Sequence, residues 1–305
     1  MSNKNKLRKV ASRKPRFPGL KYKTKDKPGV SLRTIQNSSW CPGCPDHMIL
    51  ESSRRAILSL IEQGHKKENF AMSAGVGCHG KIFDYLNISG IYGLHGRTIP
   101  TAIGIKLGNP NLNVLAFAGD GDTYSEGMAH FIHACRFNPD ITLIVHDNRS
   151  FSLTTGQATP TSQLGFKTKA EPLGEFNQPI NPIHLALSAG ASFVARCNAR
   201  DIVHTQKIIE QAIKHEGFSF VEILQDCIVF NLDINNEDDK MYKLLDKKRT
   251  MKQALKYSQE FNYNNEKNKI PLGIFYQKHR NSLNEEWPIL NKLAKSKKTW
   301  GDLKK

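Results

Sequence analysis

Val114-Leu115-Ala116-Phe117-Ala118-Gly119-Asp120-Gly121-Asp122 runs from an unbroken apolar stretch straight into a glycine–aspartate alternation. An apolar run with no polar alternation reads as a strand covered on both faces, which is the habit of a parallel sheet. The next buried strand, Ile141-Thr142-Leu143-Ile144-Val145-His146-Asp147, ends on Asn148, 28 residues after Asp120. In parallel sheets ligands collect at the carboxyl ends of strands. Gly119 and Gly121 let backbone N–H groups approach an anion, and the helix expected over 123–137 offers its N-terminus to a diphosphate. The Asp120 carboxylate and the Asn148 amide oxygen are hard ligands suited to Mg²⁺. Gly-Asp-Gly alone also makes ordinary turns; its pairing with Asn148 makes it informative.

The flanking sequence extends the same pattern. Apolar residues at helical spacing over 46–63 predict a helix, stopped at Gly64. Residues 70–76 read as a short buried strand and 98–107 as a helix. Residues 191–197 and 218–224 read as strands around an amphipathic helix at 201–215. Strands alternating with helices predict an α/β fold with a parallel sheet flanked by helices. The 149–182 stretch, rich in Gly, Pro, Thr and Ser, is too long for a plain connector and reads as functional. The expected organisation is a basic arm over 1–38, a main domain over 39–234 and a polar, mostly helical extension over 235–305.

Charge is unevenly distributed. The net charge is +16. Residues 1–38 hold twelve Lys/Arg against Asp26 alone, and residues 288–305 hold six Lys against Asp302 alone, so the body between them nets to zero. Such tails read as solvated solubilising segments or as attractors for an acidic protein partner. A nucleic-acid role is disfavoured because the body has no basic interior stripe. The sequence has no apolar run near the ~20 residues of a membrane helix. The basic start has no apolar segment behind it and little amphipathic patterning, so the expected location is the cytoplasm.

Six cysteines are present. Cys41-Pro42-Gly43-Cys44 precedes the first helix, while Cys78 and Cys227 each follow a predicted strand. Four thiolates so placed suit either Zn²⁺ or a [4Fe–4S] cluster, and spacing alone does not choose. Cys135 and Cys197 read as small buried hydrophobes.

Five motifs occur in order: Trp40-Cys41-Pro42-Gly43-Cys44, Gly75-Val76-Gly77-Cys78-His79-Gly80-Lys81, Gly93-Leu94-His95-Gly96-Arg97-Thr98, Gly119-Asp120-Gly121-Asp122 and Leu153-Thr154-Thr155-Gly156-Gln157-Ala158-Thr159-Pro160-Thr161. The set resembles the beta subunit of 2-oxoacid:ferredoxin oxidoreductases over about residues 38–232. That resemblance implies the thiamine-diphosphate-binding fold and a [4Fe–4S] cluster on Cys41, Cys44, Cys78 and Cys227. It implies Mg²⁺ ligation by Asp120, Asn148 and the Ser150 carbonyl. Thiamine-diphosphate contacts would come from Val76, Gly77, Cys78, His79, His95, Gly121, Asp122, Ser152 and Leu153. Leu153 would also line the substrate pocket, and Lys81 would meet the substrate carboxylate. The implied reaction is oxidative decarboxylation of a 2-oxoacid with coenzyme A, giving acyl-CoA, CO₂ and reduced ferredoxin or flavodoxin, with 2-oxoglutarate favoured over pyruvate. An alpha subunit would supply the glutamate that activates the cofactor. Thr155 departs from the lysine common in that loop, which leaves the choice of 2-oxoacid open; Pro45 and His79 replace small residues. The alternatives are a non-redox thiamine-diphosphate decarboxylase or carboligase subunit and a zinc-bound nucleic-acid-binding protein.

Overall fold

The computed structural model describes residues 30–232, 239–264 and 268–303. Most of the expected arm (1–29) and residues 233–238, at the boundary expected near 234, lie outside the described residues. The strands are β1 (Phe70–Ala74), β2 (Ser89–Tyr92), β3 (Asn113–Gly119), β4 (Thr142–Asp147), β5 (Phe193–Asn198), β6 (Ser219–Leu224), β7 (Met241–Lys243) and β8 (Ile270–Gln277). They form one sheet in the order β2-β1-β3-β4-β6-β5-β8-β7. Strands β1 to β6 are mutually parallel, β8 pairs antiparallel with β5, and β7 runs parallel to β8.

The apolar run of β3 explains why the sheet has helices on both faces. Leu115 and Phe117 enter a core shared with α1 (Asp46–Glu62) and α6 (Ile202–Lys214). Val114, Ala116 and Ala118 enter the opposite core with α3 (Thr98–Gly108), α4 (Met128–Phe137), α5 (Pro182–Ser188) and α7 (Met251–Ser258). A strand's side chains alternate between faces, so a strand buried on both must be apolar at every position. A four-residue helix, α2 (Ile82–Tyr85), links β1 to β2; α8 (Leu283–Glu286) and α9 (Pro288–Lys295) follow β8.

Several expectations need amending. The first strand ends at Ala74, because Gly75 to Cys78 turn away at the sheet edge. A wide π-type turn, Asp122–Glu126, precedes α4. The edge strand β2 went unread because its residues are exposed and two of the four are Ser and Gly. The stretch over 235–305, expected to be mostly helical, adds β7 and β8 to the main sheet. Its Phe261, Tyr263, Ile270 and Leu272 build a small core of their own with Leu224. At the other end, Leu32 is fully buried and Arg33 bridges to Leu86, so the arm joins the body before residue 38.

Candidate cofactor site

The loops after β1, β3, β4 and β6 emerge at the same edge of the sheet and enclose one pocket. Its lining includes Val76, Gly77, Cys78, His79, His95, Gly121, Asp122, Ser152 and Leu153, with Asp120, Asn148 and Ser150 on the same wall. Sequence-distant motifs meet here because parallel strands deliver all their C-terminal ends to one side. Two glycines shape the cavity. Gly77 has φ +156, and a Cβ there would lie 2.6 Å from the His79 ring. A Cβ on Gly121 would come within 2.1 Å of Phe151. Side chains at either position would displace the walls, so the backbone itself faces the cavity.

The metal-ligand candidates sit above a network of buried carboxylates. Asp120 Oδ2 accepts from the Thr159 hydroxyl at 2.6 Å and lies 3.1 Å from that of Thr161. Thr161 also reaches Asp147 Oδ1 at 2.8 Å. Tyr263 Oη is 2.9 Å from both Asp147 Oδ2 and Glu222 Oε1, and Glu222 pairs with Arg196 in full burial. Burial first, and Asp147 second, push the Asp120 carboxyl well above its usual range. Burial and Glu222 raise Asp147 to about 6. Such crowding of buried carboxylates fits a site that takes a divalent cation. Asn148 Oδ1 accepts from Ser150 N–H at 3.0 Å and keeps a second lone pair. The Ser150 carbonyl accepts from Ser152 N–H at 2.8 Å, and its hydroxyl is buried without a partner.

The diphosphate-side candidates divide into two groups. Asp122 is spoken for: Gly96 N–H (2.6 Å) and the Thr98 hydroxyl (2.8 Å) donate to it. It therefore ties the His95 loop to the Gly119–Asp122 turn. Burial still lifts it to about 6 against those two bonds. His79 is buried 3.7 Å from Asp122, but burial and the neighbouring His146 hold its imidazole down to about 3. The pair is thus a neutral imidazole beside a carboxyl group, and His79 Nε2 is buried and unpartnered. The Leu153–Gln157 segment is a tight turn: Phe151 N–H donates to Gln157 O at 2.9 Å, and Thr155 takes a left-handed φ of +79. Leu153 is half exposed at the pocket mouth. Lys81 stands outside the lining, its ammonium 3.4 Å from the Ser39 carbonyl.

The four motif cysteines form a second cluster on the pocket's flank. Cys78 lines the pocket, and Cys41 and Cys227 are near enough for their charges to act on it. Burial raises Cys78 to about 12, while Lys81 works in the opposite direction. Burial and Asp46 also raise Cys44. Thiols this resistant to ionisation become thiolates only when a cation replaces the proton. Trp40 Nε1–H donates to Cys78 O at 2.7 Å, and Phe230 N–H donates to Cys227 Sγ at 3.3 Å. Among the described residues no three Cys, His, Asp or Glu groups are gathered as tightly as one metal ion requires. Cys135 and Cys197 are fully buried in opposite cores.

Sequence reasoning passed over Asp46, His146, Asp147, Thr159, Thr161, Gln225 and Tyr263. Of these, Thr159 and Thr161 lay within a quoted motif and Asp147 beside Asn148, so the signal existed. Asp46, Gln225 and Tyr263 carry no motif that marks their approach to the site.

Comparison with known proteins agrees with this geometry. Residues 75–223 match the family model described as thiamine pyrophosphate enzyme, C-terminal TPP binding domain. A Saccharolobus solfataricus 2-oxoacid:ferredoxin oxidoreductase subunit beta is 41% identical over 263 residues, covering 80% of this chain and 83% of that protein. The 2-oxoglutarate synthase subunit KorB of Archaeoglobus fulgidus is 42% identical over 188 residues, covering 62% and 69%. A solved 2-oxoglutarate:ferredoxin oxidoreductase from Magnetococcus marinus, with 2-oxoglutarate, coenzyme A and succinyl-CoA bound, superposes with a TM-score of 0.80 at 27% identity, covering 88% of this chain and 91% of that one. Among the described residues no helix is long and apolar enough to cross a membrane. With its thiamine-diphosphate-binding domain and four of the five motifs meeting at one pocket, the chain belongs to the family of 2-oxoacid:ferredoxin oxidoreductase beta subunits.

Proposed function

We propose that this chain works in the cytoplasm as the beta subunit of a heteromeric enzyme that oxidatively decarboxylates a 2-oxoacid, 2-oxoglutarate in preference to pyruvate, passing the acyl group to coenzyme A and the electrons to ferredoxin or flavodoxin. The observation that carries the reading is Cys78, which lines the cofactor pocket and also neighbours the other motif cysteines. One residue at the junction of the two sites suits an enzyme that takes electrons from a bound organic cofactor.

Bound thiamine diphosphate would supply addition to the keto carbon and an electron sink for loss of carbon dioxide. Asp120, Asn148 and the Ser150 carbonyl would hold Mg²⁺, and the crowding of buried carboxyl groups around Asp120 supports that assignment. The backbone at Gly77 to His79 and at Gly121 would face the diphosphate, with Ser152, Leu153, Val76 and His95 shaping the remainder. Cys41, Cys44, Cys78 and Cys227 would hold a [4Fe–4S] cluster. Lys81, whose charge already reaches Cys78, is assigned to the substrate carboxylate. Among the described residues lining the pocket there is no glutamate, which fits a partner alpha subunit supplying the one that activates the cofactor.

The test is to purify the chain with its partner under nitrogen and measure iron, acid-labile sulfide and zinc, then viologen reduction with 2-oxoglutarate or pyruvate plus coenzyme A. About four irons and four sulfides that disappear in Cys78→Ser but persist in Cys135→Ser support the cluster. Zinc without sulfide would return the chain to a non-redox thiamine enzyme, and dye reduction by this chain alone would refute the need for a partner.

A further inference from the structure

Asp46 opens α1 two residues after Cys44 and is fully buried. Its Oδ2 lies 3.5 Å from Cys44 Sγ. Its Oδ1 lies 2.7 Å from His146 Nδ1 and 3.2 Å from Gln225 Nε2. Both His146 and Gln225 line the cofactor pocket, and His146 Nε2 is buried there without a partner. One carboxylate thus touches a motif cysteine with one oxygen and two pocket residues with the other. In the metal-free protein the Cys44 thiol donates to Asp46. Iron ligation removes that proton, so the carboxylate then faces a ligand sulfur with its charge, held by donors on the far side only.

Resting on the cluster assignment above, we propose that Asp46 is a positioning residue that sets the reduction potential of the cluster held by Cys44. Reduction adds one electron to a buried, already negative assembly. A fixed negative charge beside a ligand sulfur opposes that addition, and it does so strongly where little water screens it. Asp46 therefore holds the cluster at a lower potential than the four cysteines would alone, which suits delivery to a low-potential acceptor. The bonds from His146 and Gln225 keep the carboxylate in place and tie that geometry to the cofactor pocket, as outer-shell groups commonly do for metal centres.

The experiment uses the complex with its partner subunit, prepared under nitrogen. The midpoint potential of this chain's cluster is read by electron paramagnetic resonance during a redox titration, the signal being identified by its loss in Cys78→Ser. Asp46→Asn and Asp46→Ser both remove the charge and should shift the midpoint to more positive potential at unchanged iron and sulfide content. Asp46→Glu should restore a value near that of the parent. An unchanged midpoint in the neutral variants overturns the proposal. So does failure of both neutral variants to take up iron while Asp46→Glu takes up the full complement, which would make Asp46 an assembly residue. A parent complex without iron and sulfide sinks the cluster reading itself and this inference with it, a result told apart from the others before any titration begins.

Discussion

At Asp120, burial and Asp147 disfavour the charge that a metal would welcome. Asp120→Asn should weaken Mg²⁺-dependent thiamine-diphosphate binding, followed by calorimetry, by at least about tenfold. The metal-free protein should melt no lower than the parent, because the substitution removes a buried charge in a crowd of them. His79 makes a prediction with a definite pH sign. Its folded form stays neutral down to about 3, whereas an unfolded histidine titrates near the ordinary value of 6.5. The unfolded chain therefore binds the extra proton on acidification, so stability present above pH 6.5 is lost progressively as pH falls towards 3. His79→Gln should remove this contribution. Between pH 7 and pH 5 the metal-free parent should lose roughly 2 kcal/mol more than the variant, read from urea unfolding at the two pH values.

At the level of elements, the sheet's buried ion pair is the most demanding feature. Arg196 on β5 and Glu222 on β6 are direct partners in the parallel register and are fully buried. Arg196 also lies over the Phe261 ring at 4.8 Å. Arg196→Met leaves Glu222 uncompensated and should cost about 3–5 kcal/mol. Adding Glu222→Leu should recover much of that loss in urea unfolding; a double variant no more stable than the single one would show that packing of the guanidinium, not charge, dominates. The same network explains why the C-terminal stretch joins the main sheet. Tyr263, 116 residues from Asp147 in sequence, places its hydroxyl 2.9 Å from both Asp147 and Glu222 beneath the candidate metal-ligand loop. Tyr263→Phe should cost about 1–3 kcal/mol by leaving a buried carboxylate oxygen without its donor.

For the whole molecule, the pocket mouth carries exposed apolar groups. Leu94, Leu153, Val229 and Phe230 are large exposed hydrophobics; Leu153 belongs to the lining, Leu94 adjoins His95 in sequence, and Phe230 lies against Gly156. On the proposed reading, in which a partner alpha subunit supplies the activating glutamate, this mouth faces that partner, and clustered exposed apolar groups mark such surfaces. Leu94→Asp combined with Phe230→Asp should abolish co-purification with the alpha subunit while the circular dichroism and melting of the isolated chain stay close to the parent's. Retained assembly would place the interface elsewhere.

The sequence by itself determined the parallel core and the identity of most pocket residues, because each is carried by a local pattern. The both-faces burial of β3 is written in five consecutive apolar residues, and the glycine–aspartate turn and Asn148 each sit directly after a legible strand. Of the motif cysteines, Cys78 lines that pocket. Tertiary structure alone decided what lies behind those residues. Tyr263, Asp46 and Gln225 act across 41 to 179 positions, and their chemistry depends on which strand ends become neighbours. It also decided that Asp122 is consumed by Gly96 and Thr98, that Lys81 leans on Ser39, and that β8 enters the sheet antiparallel. Periodicity reports which face of an element is buried; the partner that covers it is fixed only when the whole chain packs, since burial is non-directional and hydrogen-bond pairing is not.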